Sequence, residues 1–534
     1  MHTTIRRFSL LGSLFVVCVA ASTARAQTIT ATPPTGPVVG VTTPAMHSFL
    51  GIPYAAPPVG ARRWQPPAPH APWTAPLDAS AYGNRCAQAP SPFGETSGSE
   101  DCLFLNVYTP HRKSVAAHDL KRKRPVMVWI HGGAFQVGSA ENYDPTRLVT
   151  LGDVVVVSIN YRLGALGFLA HPALSAESPD GVSGNYGILD QQLALRWVHD
   201  NIAAFGGNPK RVTIFGESAG GISVHAQLAS PGAAGTFHRA IVESGAIFLQ
   251  PALAAAEDDG TAVADALGCS DQTAACLRAL SVDDILAGQP SGLQSTGPVI
   301  DGVVLPTSIR DAFKSGAFNR VPVIEGSNHD EMRLFVALGF DLAAGPVDAD
   351  HYTDAVAALL GVPPSVAAIL VNQYPLANYP SPDVAVATLA TDAAFACNAT
   401  AADGWLSAFV PTYGYEFADA NAPELFLPPV SFPYGASHAS ELQYLFDLPS
   451  PFPPQPLDAD QEQLADAMAR YWTRFARTGK PQAPRTTRWP RFDANRFGGA
   501  QMLSLVPPSP VTKGAGAFNL DHKCSFWNAL LGNS

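Results

Sequence analysis

The sequence predicts an α/β protein, a large, mostly parallel central sheet flanked by helices, with long loop insertions. Three observations carry that expectation. Apolar, β-branched runs recur without in-out alternation, as in strands buried on both faces. A helical period fills a long segment between two of these runs, and small residues mark the points where a strand gives way to a turn or a helix.

Taken in chain order, Val126-Met127-Val128-Trp129-Ile130 reads as a buried strand that runs into the small-residue turn His131-Gly132-Gly133-Ala134-Phe135. Val154-Val155-Val156-Val157-Ser158-Ile159-Asn160 suits a central parallel strand. Residues 186–205 place Leu189, Leu193, Leu195, Trp197 and Ile202 at helical spacing. Val212-Thr213-Ile214-Phe215 is the next strand, with a small-residue helical stretch from Ala219 onward, and Ala240-Ile241-Val242 is the one after. Val321-Pro322-Val323-Ile324 reads as a strand ending before Glu325. The carboxylates of residues 325–331 would then lie just past its carboxyl end, where sites in parallel sheets gather. Met468, Trp472 and Phe475 form a core-facing helical stripe. With 534 residues, 47% hydrophobic and 14% charged, the chain can bury a substantial core. No internal repeat is apparent, and prolines gather at residues 428–433, 449–456 and 507–510 as ordered loops more than as a linker. A single domain over residues 27–534 is expected.

The chemistry centres on Gly216-Glu217-Ser218-Ala219-Gly220. The bare Gly-x-Ser-x-Gly pattern is weak, but its place between a strand and a helix is the context a nucleophile elbow requires. Glycines at 216 and 220 let strand and helix approach while Ser218 projects into a pocket. The helix from Ala219 aims free N–H groups and its positive dipole end at the same spot, ready for a developing oxyanion. The His131 turn, upstream of the elbow and after a strand, leaves further backbone N–H groups uncovered. Acyl transfer is the natural reaction. A triad on this architecture runs serine, acid, histidine along the chain, so the partners of Ser218 lie downstream. His438, in Gly435-Ala436-Ser437-His438-Ala439-Ser440-Glu441-Leu442, sits in a polar loop where a ring can be exposed yet held, whereas His351 and His522 have no such setting. Spacing alone leaves Asp330 and Glu331 both open as the acid.

The combination of Glu100-Asp101-Cys102-Leu103-Phe104-Leu105-Asn106, the His131 turn, Asn160-Tyr161-Arg162-Leu163-Gly164, the Ser218 elbow, residues 328–331 and the His438 loop resembles the type-B carboxylesterase family, which includes cholinesterases and fungal lipases. The resemblance covers nearly the whole chain after residue 26 and implies an α/β-hydrolase fold. It implies Glu331 as the acid, His438 as the base, and the amides of Gly133, Ala134 and Ala219 as the oxyanion hole. Ser244 and Glu441 match positions that support the triad in relatives. Met332 stands where relatives have glycine and His329 where they usually have lysine; neither lies on the proton-transfer chain, so a reshaped pocket wall with retained catalysis is expected.

Of seven cysteines, Cys18 falls in the leader, and the other six allow fifteen pairings. The resemblance implies Cys86 with Cys102, Cys269 with Cys276, and Cys397 with Cys524. Residues 1–26 read as an ordinary cleavable signal peptide: Arg6 and Arg7, an apolar stretch over 8–21, and Ala24-Arg25-Ala26. Cleavage after Ala26 and a secreted or periplasmic destination are expected. No later stretch is read as long and apolar enough to span a bilayer, and no stable membrane insertion is expected.

A net charge of −11 argues against nucleic-acid binding, and Lys121-Arg122-Lys123-Arg124 is a brief solvated cluster. No His or Cys pairs have zinc-type spacing, so neither metal nor cofactor is expected. The expected partner is a small-molecule or lipid-like ester. Residues 87–101 lack the tryptophan that receives a quaternary ammonium in cholinesterases, which argues against a choline ester, and Glu217 is read as anchoring buried water. The function these residues support is ester hydrolysis through an acyl-enzyme, with activity falling near pH 6–7 as His438 protonates. The alternatives are a triglyceride lipase of the same family and, from another class, a binding module on the same fold.

Overall fold

The computed structural model describes residues 27–111, 120–245, 250–290, 296–453 and 455–533, so the leader lies outside the described residues. Thirteen strands among the described residues form one sheet. They are β1 (Gln27–Ala31), β2 (Val38–Thr42), β3 (Met46–Pro53), β4 (Leu77–Asp78), β5 (Phe104–Pro110), β6 (Arg124–Ile130), β7 (Val155–Ile159), β8 (Gly207–Glu217), β9 (Arg239–Glu243), β10 (Val323–Asn328), β11 (Thr412–Phe417), β12 (Gln501–Leu505) and β13 (Val511–Gly514). Their order is β1-β2-β3-β5-β7-β6-β8-β9-β10-β11-β12-β13, with β4 beside β2. From β7 to β12 every pairing is parallel. β1, β2, β3, β5 and β13 join antiparallel at the two edges, and the short β4 pairs parallel with β2. This is the α/β-hydrolase architecture that the sequence led one to expect.

The unbroken apolar runs result from burial on both faces. Side chains alternate sides along a strand. Val126, Val128 and Ile130 of β6 enter one apolar cluster with Val155, Val157, Val212, Ile214 and Val242. Met127 and Trp129 point the other way, into a cluster with Val156, Phe215 and Ile241. Helices Tyr186–Asn201 and Ala219–Ala229 cover the first face. Helix Ala459–Thr478 covers the second with buried Leu464, Met468, Trp472 and Phe475. A capping box between Asp458 and Gln461 starts that helix, and Gly479, at φ 72°, stops it.

Three expectations need correction. The strand expected to end at Ile324 runs on to Asn328, so Glu325 lies within β10. Its carboxylate faces His225 Nε2 at 2.8 Å, both side chains fully buried. Burial pushes Glu325 up and His225 down to about 3, which keeps the pair neutral. The helix expected over 186–205 is α-helical only to Asn201 and tightens into a 3₁₀ turn, Ile202–Phe205, stopped by Gly206 at φ 84°. Finally, the stretch Pro382–Ser407 is long and apolar enough to cross a bilayer by length and composition alone. It is 89% buried inside the fold, as a core helix is.

The six cysteines pair as Cys86–Cys102, Cys269–Cys276 and Cys397–Cys524. The last joins positions 127 residues apart and ties the terminal helix Cys524–Leu531 to helix Cys397–Ser407.

Candidate active site

Ser218 follows β8 and caps helix Ala219–Ala229 with φ 57° and ψ −123°, a conformation that costs a non-glycine residue on the order of 1–3 kcal/mol. Its N–H donates to Glu243 O at 2.9 Å, which holds the turn against β9. The flanking glycines are obligatory for packing. A Cβ on Gly220 would sit 2.0 Å from Ile130 O, and one on Gly216 would sit 2.6 Å from both Gly220 O and Ile130 O. The turn after β6 lies directly against this elbow: a Cβ on Gly132 would meet Glu217 O at 2.9 Å and Ser218 Cβ at 3.1 Å.

That turn is itself strained open. Gly133, Ala134 and Phe135 all take positive φ, at 100°, 53° and 59°. Bonds from Gln136 and Val137 N–H to Gly133 O, and from Gly164 N–H to Phe135 O, fix it from both sides. His131 is buried and stacks on Tyr161, whose hydroxyl donates to His131 O. Burial pushes this imidazole down to about 4, so it packs as a neutral ring. Among the described residues, the amides of Gly133, Ala134 and Ala219 have no protein acceptor.

Of the two open acids, Glu331 is the one that meets His438. Its Oε2 lies 2.6 Å from His438 Nδ1, and its Oε1 accepts the Asn328 N–H at 2.7 Å. Asp330 faces away, accepting from Ala436 N–H and pairing with Arg333. Asn328 also donates to Ser437 O and to Glu441 Oε2, so the acid turn and the histidine loop are cross-linked. Phe335 and Phe395 press on the His438 ring at 5.0 and 5.1 Å between centroids. Among the described residues His438 Nε2 makes no hydrogen bond, and it lies 3.1 Å from Glu217 Oε1. Ser244 Oγ is likewise buried without a partner among them, while the Ser244 N–H donates to Gly326 O. A cavity of about 690 Å³ opens onto Ser218, walled by Ala134, Leu169, Val263, Phe335, Phe340 and Phe395 among others.

Comparison with known proteins gives the family. The family described as "Carboxylesterase family" matches residues 26–517. A human "Cocaine esterase" is 35% identical over 514 residues, covering 91% of this chain and 87% of that protein. The chain belongs to the carboxylesterase family. A Bacillus subtilis (strain 168) "Para-nitrobenzyl esterase" is 35% identical over 479 residues, 86% of this chain and 91% of its own length. A Sphingopyxis macrogoltabida "Fumonisin B1 esterase" is 44% identical over 301 residues, 54% of each chain. The protein is thus a carboxylesterase, an α/β-hydrolase that acts on small-molecule carboxylic esters.

The electrostatics of this carboxylesterase depart from the expected ordinary histidine. Burial alone would lower His438, but the negative charges of Glu217 and Glu331 outweigh it and raise the imidazole to about 9. Burial raises Glu217 to about 8, with Glu441 and Glu331 adding to it and His438 opposing. Burial, with Glu331 next, lifts Glu441 to about 7. If His438 is the base, the acid limb expected near pH 6–7 should lie higher. Sequence reasoning missed the two phenylalanines and Asn328. Phe335 lies one helical turn beyond Glu331, a spacing that could have flagged it. Phe395 comes from a segment with no local link to either residue.

Proposed function

We propose that this carboxylesterase works through a Ser218–Glu331–His438 triad, by way of an acyl-enzyme. The observation that carries the reading is the 2.6 Å bond from His438 to Glu331, made on a loop beside the strained Ser218 elbow. His438 takes the Ser218 proton as Oγ attacks the ester carbon. Glu331 fixes the ring so that Nε2 is the proton acceptor and stabilises the imidazolium once formed. The oxyanion is held by the uncovered amides of Gly133, Ala134 and Ala219. His438 then protonates the leaving alcohol, and water repeats the sequence on the acyl-enzyme. Asn328 and Glu441 position the acid turn against the histidine loop, while Ser244 lines the cavity beside Ser218.

The largely apolar walls of the cavity favour a neutral acyl group. The relatives named para-nitrobenzyl esterase and cocaine esterase support aromatic esters as productive probes. Three disulfides support export to an oxidising compartment, with residues 1–26 as the signal peptide and a single catalytic domain from residue 27.

The deciding assay is hydrolysis of p-nitrophenyl esters from acetate to palmitate by the parent and by Ser218→Ala. The parent should peak at short chains, and the variant should lose on the order of 10⁴–10⁶ in kcat. A long-chain peak would favour the lipase reading. Equal rates in both proteins would leave a binding module.

A further inference from the structure

Behind the acid turn, four side chains from three separate stretches of the chain converge where that turn meets the carboxyl terminus. His329 follows β10, Glu416 lies on β11, and Asp521 and His522 close the helix Ala515–Asp521. One ligand atom from each lies within 4.8 Å of all the others. We propose that these four residues form a binding site for a divalent transition-metal ion, with zinc the best-matched ion.

The argument rests on orientation as much as on proximity. His522 Nδ1 bonds Asp392 Oδ1 at 2.6 Å, and His329 Nδ1 bonds Asp330 Oδ1 at 3.0 Å. A carboxylate on one ring nitrogen is the support that zinc-bound imidazoles use to fix tautomer and ring orientation. In both residues it leaves Nε2 facing the cluster. His522 Nε2 lies 3.0 Å from Glu416 Oε1, and His329 Nε2 lies 3.7 Å from Asp521 Oδ2. The supports are themselves held: Asp392 accepts from Tyr374 Oη at 2.7 Å, and Asp330 pairs with Arg333 at 2.8 Å. Two imidazoles and two carboxylates make a mixed nitrogen and oxygen set of four, which suits zinc and is too nitrogen-rich for calcium or magnesium. Glu416 and His522 are buried, while His329 and Asp521 have side chains 39% and 49% exposed. An ion therefore has both a rigid floor and an entry path.

Lys513 is the resident competitor. Its Nζ bonds Glu416 Oε2 at 2.8 Å and Asp521 Oδ2 at 3.1 Å, supplying the positive charge the carboxylates need without metal. A zinc ion on Glu416 Oε1 would share that carboxylate with the ammonium. It would pin the terminal helices to the turn that carries Glu331, beside the Cys397–Cys524 bond.

The test is calorimetric titration of the full, tag-free, chelator-stripped protein with Zn²⁺, with Co²⁺ absorption as a reporter of four-coordinate geometry. One saturable equivalent is expected. His329→Ala and Asp521→Asn, both at the exposed rim, should each weaken it about tenfold or more. Lys513→Met should tighten it. Circular dichroism of each variant separates lost binding from lost folding, and Asp330→Asn, which removes only a support, gives a milder second measure. Absence of a saturable equivalent, or an affinity that none of these substitutions moves, overturns the proposal.

Discussion

At the scale of single residues, the site is governed by carboxylates packed around one imidazole. Glu217 and Glu331 approach opposite nitrogens of His438, at 3.1 and 2.6 Å, inside a buried setting. A general base works only when it is unprotonated, so a raised pKa moves the acid limb of the rate profile upward. With His438 raised to about 9, kcat/KM should climb with pH through the range 7 to 9 and fall as pH drops. Glu217→Gln removes the largest raising contribution while keeping the shape of the side chain. That variant should shift the acid limb down toward the ordinary histidine range, read directly from kcat/KM against pH. An unmoved limb would mean that Glu217 carries no charge in the working enzyme.

At the scale of elements, the elbow exists because a strand and a helix touch through two glycines. A methyl on Gly220 meets the carbonyl of Ile130, a backbone atom that cannot rotate away. Gly220→Ala should therefore push helix Ala219–Ala229 off β6, lowering stability by about 1–3 kcal/mol in denaturant unfolding. It should also displace the Ala219 amide, so kcat falls by more than KM changes. The terminal disulfide acts on larger elements. Cys397 and Cys524 are separated by 127 residues, and removing both as alanines should cost on the order of 2–5 kcal/mol. A lowered unfolding free energy extrapolated to water, with m rising as the unfolded chain loses its crosslink, would check that, and an unchanged free energy would show that the terminal helices are held by packing alone.

At the scale of the whole molecule, charge shapes what reaches the serine. The chain carries a net charge of −11, and Asp259 is the one Asp, Glu, Lys or Arg among the described residues lining the cavity. None of those lining residues is a Lys or Arg that could receive an acidic substrate, and Glu217 and Glu441 lie buried near Ser218 and His438. An ester with an anionic acyl group should be hydrolysed at least about tenfold less efficiently than its neutral analogue of equal length. Comparing kcat/KM for a hemisuccinate and a butyrate of one alcohol, at low and high salt, measures this. The disadvantage should shrink with salt as screening weakens the field.

The fold and the position of the elbow were legible because they rest on local rules. Buried strands must be apolar on both faces, as β6 to β9 are, and a tight strand-to-helix turn must be flanked by glycine. Short-range order therefore announced the central strands β6 to β10, the Ser218 turn and the His131 turn, while the order of the thirteen strands and the antiparallel edges came only with the fold. The residues alone could not choose between Asp330 and Glu331, since both come after the same strand. The family resemblance pointed to Glu331, and in the folded chain Glu331 turns toward His438 while Asp330 turns toward Ala436. Only the fold presses Phe395 against the imidazole and gathers the group at His329, Glu416, Asp521 and His522. Each draws on stretches far apart along the chain, so no spacing rule can announce them. Periodicity reports which face of an element is buried; which distant side chains then share a point in space is settled only by how the elements pack.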